Sequence, residues 1–309
     1  MHKPRIWRQA IRLFLLLAAS SPPGAHSTRT RKDLCGLSMH TSDIPDIGNF
    51  SIIDATWTVP EVVDREDGGL EAPYVSQGVA LCCGDDCSTR LAAGMWAYPR
   101  FPNQLTSASA MFQLSPVFGP FLIPQRHHFD FNGSDVLWTR VEVLGPNYAK
   151  LQLPQRRTFS KSESRTPGSN TTITVDLGIG TRDGETILSI ATRGNGEETH
   201  ITQHPRYIDA EKPIFCGDSA WWYLSDNFDP GEDTARPVPL ARFSPVLVGD
   251  HGLQTTEKRS FPKELPLSGL ARFWNMVRDT EGRTDVLCNA RGFVDTGMTM
   301  LHAPHEWGV

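Results

Sequence analysis

Three of the chain's six cysteines crowd one tight turn, Cys82-Cys83-Gly84-Asp85-Asp86-Cys87, between the apolar runs Tyr74–Leu81 and Thr89–Tyr98. Glycine reaches positive φ at no steric cost and aspartate bonds its own backbone, so Gly84-Asp85-Asp86 is hairpin chemistry. A hairpin carrying this many thiols implies disulfide tethers to the rest of the chain, and therefore an oxidising compartment. Few architectures accommodate that. The feature points to β structure stitched across its strands.

The remaining pattern agrees. Ser51–Val59, Ser107–Leu114, Val136–Val143, Ile173–Gly178 and Thr186–Thr192 read as strands, by β-branched content or by alternation of small and large residues. Ala220–Leu224, Leu240–Val248, Phe273–Val277, Asp285–Asn289 and Thr296–His302 complete the set. Val117–Asp130 is apolar but interrupted by proline and suggests no clear element, and Arg156–Ser169 reads as an exposed loop. No segment sustains a 3.6-residue period for more than about two turns, so helices are minor. The 26 glycines and 23 prolines suit many short strands joined by turns. The expected class is all-β, a sandwich of two antiparallel sheets.

The amino terminus has the form of a secretion signal. Arg5, Arg8 and Arg12 precede a short apolar run, Leu13–Ala19, and Ala18-Ala19-Ser20 offers small residues for cleavage. That run is too short to span a bilayer. The expected organisation is a signal at 1–20, a mobile arm or short propeptide at 21–48 anchored at most through Cys35, and one β-sandwich domain at 49–309. Sequons at Asn49, Asn132 and Asn170 fit passage through the secretory pathway. The formal net charge is −5 and becomes more negative once the basic leader is removed. An acidic secreted chain is poorly suited to nucleic acid or to an anionic membrane surface.

The order of several short motifs resembles the eqolisins, the fungal glutamic peptidases. Asp54-Ala55-Thr56-Trp57-Thr58-Val59-Pro60 is similar to the family's first strand, and Cys87 through Gly94 to its cysteine-to-L-Q-x-G segment. Ala110-Met111-Phe112-Gln113-Leu114-Ser115-Pro116 follows in register, then Cys216 through Trp222 on C-x-x-x-A-E-W and Val238 through Phe243. The resemblance spans roughly Phe50 to His302. It implies a concanavalin A-like, jelly-roll sandwich with a cleft on its concave face. It also implies a Cys87–Cys216 disulfide, leaving Cys35, Cys82, Cys83 and Cys288 with partners unassigned.

In that family a glutamate activates water and a glutamine amide holds the oxyanion. The resemblance puts these positions at Trp221 and Ala92, and a third family carboxylate at Gln113. A methyl group neither donates nor accepts a hydrogen bond, and an indole has one N–H and no basic atom. Loss of one oxyanion donor alone costs roughly 100- to 1000-fold in rate. The expectation is a protein without peptidase activity. Its cleft, with Gln113, Trp96, Tyr98, Trp221 and Tyr223 as candidate lining, would hold a peptide, a glycan or an apolar small molecule. The alternatives are a recruited cyclase- or isomerase-type enzyme, and an acid endopeptidase with displaced residues.

Other constellations carry less. His200 and His204 have helical metal-pair spacing in a non-helical context, and His302 and His305 flank a proline. His127 through Gly133 lacks the ligands calcium needs. Asp218, three residues from Trp221, is expected to face away from the cleft. No metal, cofactor or membrane span is expected, and the chain reads as a monomer.

Overall fold

The computed structural model describes residues 28–31, 34–44, 46–63, 75–84, 87, 89–100, 105–115, 118–122, 135–156, 173–183, 185–194, 197–203, 215–225, 242–257, 270–280, 283–293 and 298–302. The strands in order are β1 Thr28–Arg31, β2 Cys35–His40, β3 Phe50–Thr58, β4 Val62–Val63, β5 Val75–Cys83, β6 Thr89–Arg100 and β7 Leu105–Ser115. Then come β8 Phe118–Leu122, β9 Val136–Gly145, β10 Tyr148–Arg156, β11 Thr174–Arg182, β12 Glu185–Gly194 and β13 Glu197–Gln203. The last are β14 Ser219–Ser225, β15 Arg242–Phe243, β16 Val246–Thr255, β17 Arg272–Thr280, β18 Arg283–Phe293 and β19 Met298–His302. A single 3-10 turn, Thr41–Asp43, is the helical content among the described residues.

Two sheets pack face to face, as the sequence suggests. One runs β1-β17-β2-β14-β5-β6-β7-β8. The other runs β13-β12-β11-β10-β9-β3-β16-β19-β18. Every pairing named is antiparallel except β1 on β17. β18 belongs to both: its first half pairs with β17 and its second half with β19. β4 and β15 form a separate two-stranded ribbon.

Strand alternation sorts the first sheet's side chains cleanly. Leu37, Met39, Val79, Leu81, Ala93, Phe112, Trp222 and Leu224 point into the core between the sheets. Ala80, Ala92, Met111, Trp221 and Tyr223 point out of the other face and form a second apolar cluster with Leu34 and the half-buried Trp96 and Trp274. All seven residues of β14 are buried. This sheet is therefore dry on both sides at its centre. Trp222 links the two sheets by donating its indole N–H to the Asp54 carbonyl oxygen, 3.1 Å away.

Two expectations are corrected here. Cys35–His40 is no part of a mobile arm: it is β2, wholly buried between β14 and β17. Both faces of β2 are covered: Cys35, Leu37 and Met39 face the core, and Ser38 and His40 on the other face satisfy each other inside the fold. The disulfides are Cys35–Cys288, Cys82–Cys87 and Cys83–Cys216, in place of the Cys87–Cys216 pair the resemblance implied. Adjacent residues on a strand face opposite ways. Cys82 lies in the second cluster with Cys87, which turns back with φ of 55°, and Cys83 on the other side meets Cys216.

Strand limits shift modestly elsewhere. Leu240–Val248 was expected as one strand, whereas β15 and β16 divide the region and β16 extends to Thr255. β8 falls in the ambiguous apolar stretch, and β10 and β13 were not foreseen. Residues 157–169 of the expected Arg156–Ser169 loop and most of the Asp85–Ser88 turn lie outside the described residues, as do Asn132, Asn170, His127, His128, His204 and His305.

Cys35–Cys288 closes 253 residues and Cys82–Cys87 only 5. Crosslinks over longer loops remove more unfolded-state entropy, with values of about 2–4 kcal/mol typical. Replacing Cys35 and Cys288 together by serine should therefore lower the urea midpoint clearly more than replacing Cys82 and Cys87, measured by paired denaturation curves.

Candidate functional site

The cross-strand register builds a single row across the first sheet. Arg272 opposes Ser38, Ser38 opposes Trp221, Trp221 opposes Ala80, Ala80 opposes Ala92, and Ala92 opposes Gln113. Trp221 and Ala92 thus stand two strands apart on one face, about 10 Å between Cα atoms at the ordinary strand spacing. The sequence places them far apart in the chain, and the sheet makes them neighbours. Gln113 sits directly beside Ala92.

The floor of this face is flat because its residues are small. A Cβ on Gly78 would run into the carbonyl oxygen of Ala93, and one on Gly94 into that of Gln77. The strands approach too closely there for any side chain. Around that floor stand the large groups: Trp221, Tyr223 and Gln113 are fully buried, while Trp96 and Tyr98 are half-buried nearer the rim. The Tyr98 hydroxyl lies 3.4 Å from Ser109 Oγ. Trp222, between Trp221 and Tyr223 in the chain, faces the core.

Four further residues shape the face and carry no motif in the sequence. Trp221 donates its indole N–H to Ser219 Oγ at 3.0 Å, and Ser219 in turn donates to the Gly84 carbonyl at 2.9 Å. Trp274 donates to Ser38 Oγ at 2.7 Å, and Ser38 shares a 2.7 Å bond with His40 Nε2. His40 meets Trp221 edge-on, ring centroids 5.8 Å apart. Trp221 and Trp274 lie 5.3 Å apart at a tilt of 32°. Ser38 and His40 belong to β2, which the sequence hides. A polar pair at i, i+2 in an apolar hexapeptide was the available signal.

Above this pair sit two arginines of β1. Arg31 Cζ lies 5.2 Å from the Trp221 ring centroid and 5.9 Å from that of Trp274, and Arg29 Cζ lies 5.5 Å from Trp274. The row Ser38, Trp221, Ala80, Ala92, Gln113 and its described neighbours Ser219, Tyr223, Arg90, Trp96 and Trp274 include no carboxylate. Asp218 instead accepts the Gly84 N–H through Oδ2 at 2.8 Å, holding the cysteine turn. Asp43 is paired with Arg272 at 2.6 Å.

No protein-family model matches the chain, and no curated protein matches it. Solved structures do. A crystal structure of scytalido-glutamic peptidase with a transition state analog inhibitor aligns at a TM-score of 0.53 and 12% identity, over 88% of this chain and 98% of that one. The fold is that of scytalido-glutamic peptidase. A second structure of that enzyme, with a peptide based transition state analog, gives 0.52 at 12% identity over the same shares.

Elsewhere, His200 lies exposed on β13, 3.1 Å from Glu198, on a strand and not a helix. Asn49 is exposed just before β3. The outward face of the second sheet carries an alternating charge ladder in which Arg193 joins Glu198 and Asp176, and Arg140 joins Asp54 and Glu142. Such ladders are the ordinary covering of a solvated sheet.

Burial pushes the Tyr223 phenol well above its usual range, against a smaller opposing pull from the charge of Arg90. Folding thus favours the protonated phenol. Its contribution to stability is intact below the ordinary tyrosine pKa of about 10 and drains away as pH rises from there. Urea unfolding followed from pH 8 upward should show a falling alkaline limb that Tyr223→Phe flattens. Tyr148→Phe, at a rim position where solvent screens its bond to Asp176, should leave that limb nearly unchanged.

Proposed function

We propose that this is a secreted, non-proteolytic binding protein built on the glutamic-peptidase fold, and that it holds an extended peptide against the aromatic face of its first sheet. The observation that carries the reading is the composition of the cross-strand row. Trp221 and Ala92 stand where the resemblance assigns base and amide, and Gln113 stands beside them. None of the three can take a proton from water near neutral or acid pH. Burial of Trp221 also excludes the water that a peptidase activates.

A peptide is favoured over a glycan or a small molecule because this sheet already carries an extended segment on its edge. β1 pairs in parallel with β17 from Thr28–Phe273 to Arg31–Met276, beside the half-buried Trp274 of the aromatic cluster. Edge addition supplies main-chain hydrogen bonds, and alternate side chains then reach the face below. Three disulfides suit an oxidising compartment and support secretion.

The test has two arms. Pure protein incubated with a denatured substrate protein between pH 2 and pH 5 should release no fragments over background. Cleavage that a single carboxylate-to-amide change abolished would sink the non-proteolytic reading. A library of extended peptides should be retained saturably by the native chain, and Trp274→Ala should weaken that retention at least several-fold. Retention of glycans or apolar small molecules with no retention of peptides would replace the ligand class.

A further inference from the structure

Two of the three indoles of the aromatic face, Trp221 and Trp274, are held by the same device. Each N–H is used from below, Trp221 on Ser219 and Trp274 on Ser38, so both edges are fixed to the sheet. β2 runs between their strands, with Gly36 opposite Trp274 and Ser38 opposite Trp221. The two ring centroids lie 5.3 Å apart at a tilt of 32°. Electron-rich faces fixed at this separation attract a cation, and a planar guanidinium stacks on indole better than an ammonium does.

A guanidinium is what the structure puts there. Arg31 is within 6 Å of both ring centroids and Arg29 of one. The two arginines are separated by one residue, and on a strand such residues share a face. Thr30 points the other way and is exposed, as is the Arg29 side chain, whereas Arg31 is half-buried. The contact rests on backbone pairing along the β17 edge as well as on the rings. Leu34, just before β2, is buried in the same cluster.

We infer that the Trp221–Trp274 pair is a binding site for the arginine side chains of an extended Arg-x-Arg peptide, and that Thr28–Arg31 of this chain is its resident occupant. The inference rests on the peptide-binding reading above and names the chemistry of the peptide. A basic peptide arriving from outside competes with the chain's own strand for the β17 edge and the two rings. The affinity measured for such a peptide is then set by how readily β1 gives way, because the site is filled in the intact molecule.

The experiment uses the full chain and a labelled, acetylated hexapeptide with the sequence of Ser27 to Lys32, followed by fluorescence anisotropy. The native chain should bind it weakly. The double variant R29A/R31A, whose own strand no longer supplies the guanidinia, should bind it at least tenfold more tightly. The same peptide with citrulline in place of both arginines keeps the planar shape but lacks the charge and exchanges a donor group for a carbonyl oxygen, and should lose at least tenfold. Adding Trp274→Ala to the double variant should abolish binding. Trp274→Phe, which keeps a ring without the N–H anchor, should bind at an intermediate level and guards against a misfolded alanine variant. Near-UV circular dichroism checks each fold.

Equal binding by native chain and R29A/R31A would overturn the inference, as would equal binding of the arginine and citrulline peptides. If R29A/R31A retains arginine-free extended peptides as well as it retains this one, the arginine site falls and peptide binding stands. If it retains no peptide of any sequence, both fall.

Discussion

Burial of Trp221 is the constraint from which the character of this molecule follows. Its ring is closed in by His40 on one side and Trp274 on another, with Arg31 above and its N–H tied to Ser219. An ionised carboxylate at that place would have to leave water for a dry environment, and the cost of that transfer is several kcal/mol unless partners compensate it. The neighbours present are indoles, small residues and a serine-linked histidine. They suit an aromatic ring and do not suit a charge that must shuttle a proton. The described part of this face of the first sheet is a second apolar core.

That second core depends on the amino-terminal segment. Without β2 there would be a gap between β14 and β17, and the Ser38 hydroxyl that anchors Trp274 would be absent. Ser38 and His40 form a small satisfied network, so two polar residues are tolerated at full burial because each has a partner. Cys35 fastens the same strand to β18 through Cys288. A segment that lies at one end of the chain thus becomes the middle of a sheet. β1 then follows the opposite edge of β17 and brings Arg29 and Arg31 over the rings.

Much of the fold was legible in advance. β3, β5, β6, β7, β9, β12 and β14 fall close to the expected limits, because half-buried or β-branched strands announce themselves by alternation or composition. The strands that escaped did so for identifiable reasons. β2 is covered on both faces and sits in a Ser/Thr/Pro-rich context. β13 is exposed and polar on a sheet edge, and β10 follows so tight a turn after Gly145 that the two strands blur into one passage. The disulfide pairing was misassigned because three cysteines in one turn are near-equivalent in sequence and differ only in which way the strand aims them.

What the residues alone determined is chemical. Wherever Ala92, Trp221 and Gln113 stand in space, a methyl, an indole and a neutral amide cannot accept a proton from water at acid pH, and no folding changes that. What only the tertiary structure decided is company. The register of β2, β14, β5, β6 and β7 aligns those three positions in one row, seals Trp221 beneath Arg31, and joins it to a Trp274 more than fifty residues distant. Strand pairing between remote segments depends on long-range burial, which a local pattern of residues does not encode.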